Sequence, residues 1–390
     1  MCMIFKDEEK LSPEYVPSRL VHREEELKLL KSFYSSLLSG GEAYHVRSLI
    51  VGSVGTGKTS LAKLFGQTME RESIGRGQRI IYVHINCRIN RSLFSVLHRV
   101  AYQVGAGTPK RGYSDPEIME SVLAALSRAG AHLILCLDEA DILIAEEGGE
   151  PIYFLSRSGE DNDLGRRVAL LMILRDPDYL ERLDRQTRSS LGNSIIHLKE
   201  YGRDQLLDIL KYRASESFHK GVLDDEVLEF IADIGAERGD ARYTLDLLWR
   251  SGKFAEAEGV QRITAEHVRK AVASVYPTIR RENLAYLSQD EYITLLACTR
   301  TLLGGRTNAA SMDVYETYKL LCEEKNIPQK GYTTFWNNLQ QLQDLGFVRI
   351  TVQSGGAKGR RSLISLPNIP VNLLEEELSK GLKHLSSLRP

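Results

Sequence analysis

A chain of 390 residues with 42% apolar and 26% charged side chains has room for two or three globular domains and the makeup of a protein with a buried core. Its formal net charge of -1 excludes a globally basic surface, so any nucleic-acid contact has to be local. The five cysteines (Cys2, Cys87, Cys136, Cys298, Cys322) form no CxxC pair and lie far apart, which argues against a disulfide framework or a structural zinc site.

No apolar run approaches the length of a membrane span. The start, Met1 to Lys10, turns acidic at once and lacks the shape of a signal peptide. The expectation is a cytoplasmic protein with no membrane partner. From about 45 to 197, short apolar runs alternate with helical stretches. The strands expected are Ser48–Val51, Ile80–Ile85, Leu133–Leu137, Val168–Ile173 and Ser194–Leu198, with a helix over Ser60–Glu70. That alternation predicts an α/β fold with a parallel sheet and crossover helices. From about 199 to 278 only helices are expected: Asp204–Ser217, Asp225–Ile234, Tyr243–Glu258 and Ala265–Val275. Thr264 before Ala-Glu-His267 has the spacing of a capping-box variant. Pro277 and Arg280-Arg281-Glu282 read as a linker. Helices then follow at Ser288–Leu303, Ser311–Lys325 and Thr333–Leu345. A strand at Phe347–Val352, a turn at Ser354–Gly359 and a return strand at Ser362–Leu366 complete the pattern of a winged helix-turn-helix. An amphipathic helix is expected over Val371–Leu388. The division expected is 1–198 nucleotide-binding domain, 199–280 helical lid and 281–390 winged helix.

The first strand runs into Gly52-Ser53-Val54-Gly55-Thr56-Gly57-Lys58-Thr59, a full match to the phosphate-binding loop G-x-x-x-x-G-K-[ST], with Ser60 opening the helix behind it. Glycines let backbone N–H groups turn toward phosphate oxygens, and the helix adds its positive N-terminal end. The nucleotide expected is ATP or ADP, with Lys58 on the β- and γ-phosphates of ATP and Thr59 on Mg²⁺. About 80 residues later the apolar run Leu133-Ile-Leu-Cys-Leu ends in Asp138-Glu139. Strand ends of such sheets line the ligand crevice. Asp138 is therefore expected to hold Mg²⁺ through water, and Glu139 to orient or deprotonate the attacking water.

The phosphate loop, Asp138-Glu139-Ala-Asp141 and Gly239-Asp240-Ala241-Arg242 together resemble the AAA+ ATPases. More narrowly the chain resembles the archaeal and eukaryotic origin-recognition initiators and the cell-division-cycle helicase-loading ATPase. Glu14-Tyr15-Val16-Pro17 with His22-Arg23-Glu24 matches that family's opening "Y-x-P … H-R-E", and the winged helix fits its domain order. The resemblance implies that Val16 and Pro17 help form the adenine pocket and that Arg242 is the sensor-2 arginine on the phosphates. It also implies an initiator-specific helical insertion, in which Arg88, Arg91, Lys110 and Arg111 are candidates for DNA backbone contact. The partners implied are double-stranded origin DNA, the replicative helicase and other initiator subunits.

Two positions depart from the family pattern. Arg175, in Leu171-Met-Ile-Leu-Arg175-Asp176, stands where a sensor-1 asparagine is usual, either to contact the γ-phosphate or to face away. In Leu183–Ser190 the finger arginine is displaced, leaving Arg185, Arg188 or neither in that role. An arginine finger contributes roughly 10³–10⁵-fold in rate. Both departures therefore predict a site that holds nucleotide better than it hydrolyses it.

In the helix around Thr333–Leu345, Phe335, Leu339 and Leu342 form one apolar stripe. The other faces carry Thr333, Thr334, Asn337, Asn338, Gln340 and Gln341, side chains that can bond base edges or phosphates. Lys358, Arg360 and Arg361 make the hairpin tip basic, and from 328 to 363 five bases (Lys330 and Arg349 with those three) face one acid, Asp344. His98, His219 and His267 sit among helical residues without partners at metal-ligand spacing. The function expected is ATP-controlled binding of origin DNA and loading of the replicative helicase, with weak ATPase activity. The rivals are an ATPase subunit of a mobile element or clamp loader, and a non-catalytic switch whose winged helix binds protein.

Overall fold

The computed structural model describes residues 4–40, 46–107, 112–157, 167–183, 185–191, 194–275, 284, 287–354, 360–366, 370–372 and 374–379. The chain divides into two compact units, one of Glu14–Gln205 with Arg238–Ala241, the other of Met1–Pro13, Leu206–Glu237 and Arg242–Pro390.

In the first of these, β1 (Arg47–Val51), β2 (Ile80–Asn86), β3 (His132–Asp138), β4 (Val168–Leu174) and β5 (Ile195–His197) form a parallel sheet in the order β2-β3-β4-β1-β5. Side chains alternate across a strand, so each apolar run serves two cores at once. Leu49, Val51, Leu133, Leu135, Leu137, Leu170 and Met172 face one core. Against it lie α3 (Leu93–Val104), α4 (Asp115–Arg128), α5 (Ala140–Glu147) and α6 (Glu150–Arg157). Ile50, Ile134, Cys136, Ala169, Leu171 and Ile173 face the other core, closed by α1 (Glu24–Phe33) and α2 (Lys58–Gly75). A short helix α7 (Arg185–Leu191) precedes β5. Val51 pairs with Leu174 and Asn86 with Asp138, so the carboxyl ends of β1 to β4 finish along one edge.

The second unit begins with α8 (Arg203–Ser217), α9 (Asp225–Ala236), α10 (Ala241–Ala257) and α11 (Ala265–Val275). The amino-terminal segment is clasped to these helices. Phe5 bridges Phe218 in backbone pairing, their rings are 4.9 Å apart, and Trp249 Nε1 donates to Glu8 Oε1 at 2.7 Å. Then come α12 (Gln289–Thr301), β6 (Ala309–Ala310), α13 (Ser311–Glu324), α14 (Tyr332–Asp344), β7 (Arg349–Ser354) and β8 (Arg360–Ser365). The strands pair antiparallel in the order β6-β8-β7, giving a winged helix around Leu295, Leu296, Tyr318, Phe335, Leu339, Leu342 and Ile364.

One buried arginine joins the helices to the winged helix. Arg269 of α11 has no exposed surface; its Nε donates to Leu366 O at 2.9 Å and its guanidinium to Arg306 O at 2.6 Å. Glu266, 3.6 Å away, partly balances its charge and accepts from the Val371 amide at 3.1 Å.

The expected strands and helices stand where the periodicity put them, with ends shifted by a few residues. β6 has only two residues and carries no periodic signal. The expected linker at Pro277 and Arg280–Glu282 and the hairpin residues 355–359 lie outside the described residues. Of the expected carboxyl-terminal helix, 371–372 and 374–379 are helical and bury Val371, Leu374 and Leu378; residues 380–388 lie outside the description.

Candidate functional site

The phosphate loop leaves β1 at Val51 and ends in α2. Gly57 caps α2 with φ 89°, a left-handed conformation that costs glycine little. Gly55, at φ 80°, lies so close to Asp240 that a Cβ would fall 1.9 Å from Oδ1. Thr56 is fully buried and its hydroxyl donates to Ser53 O at 2.9 Å, while Val54 is half exposed. Lys58 Nζ donates to the carbonyls of Gly52 and Ser53, each at 2.6 Å. Ser60, in the first turn of α2, is half-buried.

Across the strand ends, Thr59 Oγ1 donates to Asp138 Oδ2 at 2.8 Å. The same carboxylate oxygen meets His84 Nε2 at 3.1 Å, and His84 Nδ1 lies 3.0 Å from the Tyr82 hydroxyl. Burial pushes the Asp138 carboxyl up, but the hydrogen bond and charge of His84 and the Thr59 hydroxyl outweigh it and hold the group below its usual range. Glu139 takes a left-handed backbone, φ 57°, at the start of α5. Its Oε1 accepts from the Arg175 guanidinium in an ion pair, while Oε2 is buried with no partner among the described residues. Arg175 thus engages the carboxylate beside Asp138.

Arg23, from the opening box, is 4% exposed and braces the loop from below. Its Nε donates to Thr56 O at 3.2 Å, another nitrogen to Lys199 O at 2.5 Å, and its guanidinium stacks 4.1 Å over the Tyr201 ring. In the Gly-Asp-Ala-Arg box, Ala241 N donates to Gly55 O at 3.2 Å and Gly239 O accepts from Tyr201 N at 3.2 Å. Arg242 lies exposed in the first turn of α10. Pro17 is buried and Val16 half-buried. Arg185 is exposed, whereas Arg188 donates to Glu181 O at 2.9 Å.

On α14, Phe335, Leu339 and Leu342 are fully buried, while Thr333, Thr334, Asn337, Gln340 and Gln341 are exposed. Asn338 corrects the expected DNA face. It is 8% exposed and points its Nδ2 toward Thr294 Oγ1 of α12, 3.5 Å away, so it is an interior residue. The basic surface also shrinks, because Arg349 pairs with Glu237 and its side chain is 17% exposed. Arg361 is exposed on β8; Arg360 opens that strand, and Lys358 lies outside the described residues. Arg88 is exposed, Arg91 is 3.6 Å from Glu146, and Lys110 and Arg111 lie outside the described residues. The described residues hold no cluster of three metal-ligating side chains, and no helix among them is long and apolar enough to cross a membrane.

Sequence reasoning gave no role to His84 or to the Arg23 side chain. His84 is an ordinary alternating position of β2, and only the β2–β3 register brings it to Asp138. Arg23 had a signal, since it stands in the matched opening box, but nothing in the sequence says that it is buried.

A phosphate loop after the first strand of a parallel sheet, an Asp-Glu pair at the end of the third, a helical bundle and a winged helix define an AAA+ ATPase-type chain. Family models agree: an AAA domain matches 47–183, a Cdc6 AAA+ ATPase-type lid domain 207–273, and a CDC6 C-terminal winged helix domain 282–376. The chain is 33% identical over 376 residues to ORC1-type DNA replication protein 2 of Saccharolobus solfataricus, covering 93% of this chain and 90% of that one. Among solved structures it resembles Cdc6p from Pyrobaculum aerophilum (29% identity, TM-score 0.85, 99% of this chain and 100% of that one). It also resembles the Aeropyrum pernix ORC1 protein in complex with DNA (31%, TM-score 0.64, 99% of each chain). A third likeness is to the Aeropyrum pernix ORC2 protein in ADPNP-ADP complexes (25%, TM-score 0.66, 99% of this chain and 100% of that one). The chain belongs to the archaeal ORC1/Cdc6-type DNA replication proteins, AAA+ ATPases with a Cdc6-type lid and a winged helix.

Proposed function

We propose that this protein is a cytoplasmic replication initiator that binds origin duplex DNA under the control of ATP and helps recruit or load the replicative helicase beside other initiator subunits. The observation that carries the reading is the 2.8 Å contact between Thr59 and Asp138 at the foot of a complete phosphate loop. A hydroxyl and a carboxylate side by side are the hard oxygen donors that suit Mg²⁺, which would neutralise charge on the phosphates when bound. Gly52 to Ser60 cradle the phosphates, Lys58 turns from the loop carbonyls to the β- and γ-oxygens, and Val16 and Pro17 receive the adenine. Arg242 reads the γ-phosphate. Glu139 accepts a proton from water as its oxygen bonds the γ-phosphorus and the β–γ bridge breaks, leaving ADP and phosphate. With Arg175 in place of the usual asparagine and Arg188 committed to a carbonyl, turnover is slow.

The domains proposed are 1–198 for nucleotide, 199–280 as lid and 281–390 for DNA. Thr333, Thr334 and Asn337 face the bases or phosphates, Lys358, Arg360 and Arg361 the backbone, and Arg88, Arg91, Lys110 and Arg111 a second stretch of backbone. The similar Aeropyrum pernix ORC1 protein is solved in complex with DNA, which supports DNA as the ligand.

The test is nucleotide titration and footprinting of intergenic DNA with and without ATP. Lys58→Ala is expected to abolish nucleotide binding, and Glu139→Gln to keep binding while slowing hydrolysis. Asn337→Ala with Arg361→Ala is expected to weaken the footprint, and affinity is expected to fall steeply with salt. Normal ATP binding by Lys58→Ala overturns the nucleotide site. An unchanged footprint in the double variant overturns the DNA face.

A further inference from the structure

We propose that Arg175 is a latch on Glu139: it holds the carboxylate in an ion pair and sets the rate of hydrolysis by releasing it to the γ-phosphate. The inference rests on the nucleotide-site reading above and names how that site is regulated.

The geometry follows from the sheet. β3 and β4 are neighbours with Leu137 opposite Met172, so the residues just beyond their carboxyl ends are brought together. Glu139 follows Asp138 on one strand and Arg175 follows Leu174 on the other. The phosphate loop is tied to the same point, because Gly52 N donates to Leu174 O at 3.3 Å. The guanidinium therefore has a short lever between two anions: the Glu139 carboxylate, and whatever phosphate the loop holds.

The chemistry of the pair decides its effect. A carboxylate that takes a proton from water needs an oxygen lone pair facing that water. Glu139 Oε1 accepts from Arg175, and Oε2 is buried, with no partner among the described residues. In the latched pair one Glu139 oxygen is held by the guanidinium and the other is buried, which weakens the carboxylate as a base for the attacking water. Arginine carries five donors in a rigid fork and prefers bidentate anions, and a γ-phosphate offers more charge and more acceptor oxygens than a carboxylate. When ATP is in the loop, the guanidinium partitions between the two anions, and only the fraction on phosphate leaves Glu139 competent. ADP offers no γ-phosphate and leaves the latch shut. Asparagine at 175, the residue the family usually carries, bears no charge and cannot form the pair.

Arg175 is thus a positioning residue, acting through Glu139. The experiment is single-turnover hydrolysis of ATP with Mg²⁺ by the full chain, alongside ATP affinity by titration. Arg175→Asn is expected to hydrolyse at least about tenfold faster than wild type, equivalent to about 1.4 kcal/mol in the barrier, with ATP affinity within about threefold. Arg175→Lys keeps a charge but not the fork, and its rate is expected between the two. In the double variant Glu139→Gln/Arg175→Asn the acceleration is expected to vanish. Arg175→Gln is the second variant should Arg175→Asn fail to fold. An Arg175 variant that binds ATP normally yet hydrolyses at or below the wild-type rate overturns the latch and leaves the nucleotide site standing. Normal ATP binding by Lys58→Ala overturns the site itself.

Discussion

Asn338 carries the clearest lesson at the scale of single residues. Its polarity placed it on the DNA face, yet helical geometry puts it on the buried stripe, three residues after Phe335 and four before Leu342. Its side chain turns inward to Thr294. Asn338→Ala is therefore expected to leave DNA affinity unchanged while lowering stability by about 1 kcal/mol, the ordinary worth of one internal hydrogen bond. A gel-shift titration beside Asn337→Ala checks this; weaker DNA binding by Asn338→Ala alone would restore it to the face. Lys58, Thr59 and Asp138 were legible because a motif names the atoms it needs. His84, Arg23 and the Arg175 pairing were not, because each depends on which strands lie side by side.

At the scale of elements, the start of α11 shows how a pattern is legible while its chemistry is not. The spacing after Thr264 signalled a capping box, and His267 closes it: Nδ1 accepts from the Thr264 amide at 2.9 Å while Nε2 lies 3.3 Å from Glu258 Oε2. A neutral ring is required, since Nδ1 must keep a lone pair. Burial drives the His267 pKa below its ordinary 6.5, and the opposing pull of Glu258 does not cancel this. The unfolded chain therefore binds more protons than the folded one just below pH 6.5, so stability is present above that pH and is lost as pH falls beneath it. The slope from one group is at most roughly 1.4 kcal/mol per pH unit. His267→Asn is expected to flatten the dependence of urea unfolding on pH between about 6.5 and 5, and an unchanged slope would exclude His267 as its source. The central strands β3 and β4 were legible for a simpler reason: both faces are buried, so each is a nearly continuous apolar run.

On the scale of the whole molecule, lid helices and winged helix share one compact unit although family models treat them as separate domains. The seam is built on Arg269, whose sequence neighbourhood, His-Val-Arg-Lys, reads as a solvated helix face. Burial lowers its guanidinium pKa to about 10, still far above neutrality, so the charge stays and must be balanced. Removing one partner of such a buried network costs roughly 3–5 kcal/mol. Each half carries one tryptophan, Trp249 on α10 and Trp336 on α14, so single-tryptophan versions report the halves separately. With Arg269 in place both reporters are expected to unfold at one urea midpoint; in Arg269→Ala the midpoints are expected to part. Coincident midpoints in the variant would show that the seam does not depend on this residue.

The four residues Arg238–Ala241 belong with the sheet although helices of the other unit flank them in sequence. Asp240 and Ala241 back the phosphate loop at Gly55. A ribosome delivers Gly55 early and its support almost two hundred residues later. The nascent chain must carry an unfinished cradle through the first half of the lid's synthesis, and the loop meets its finished support only after α9 has left the exit tunnel.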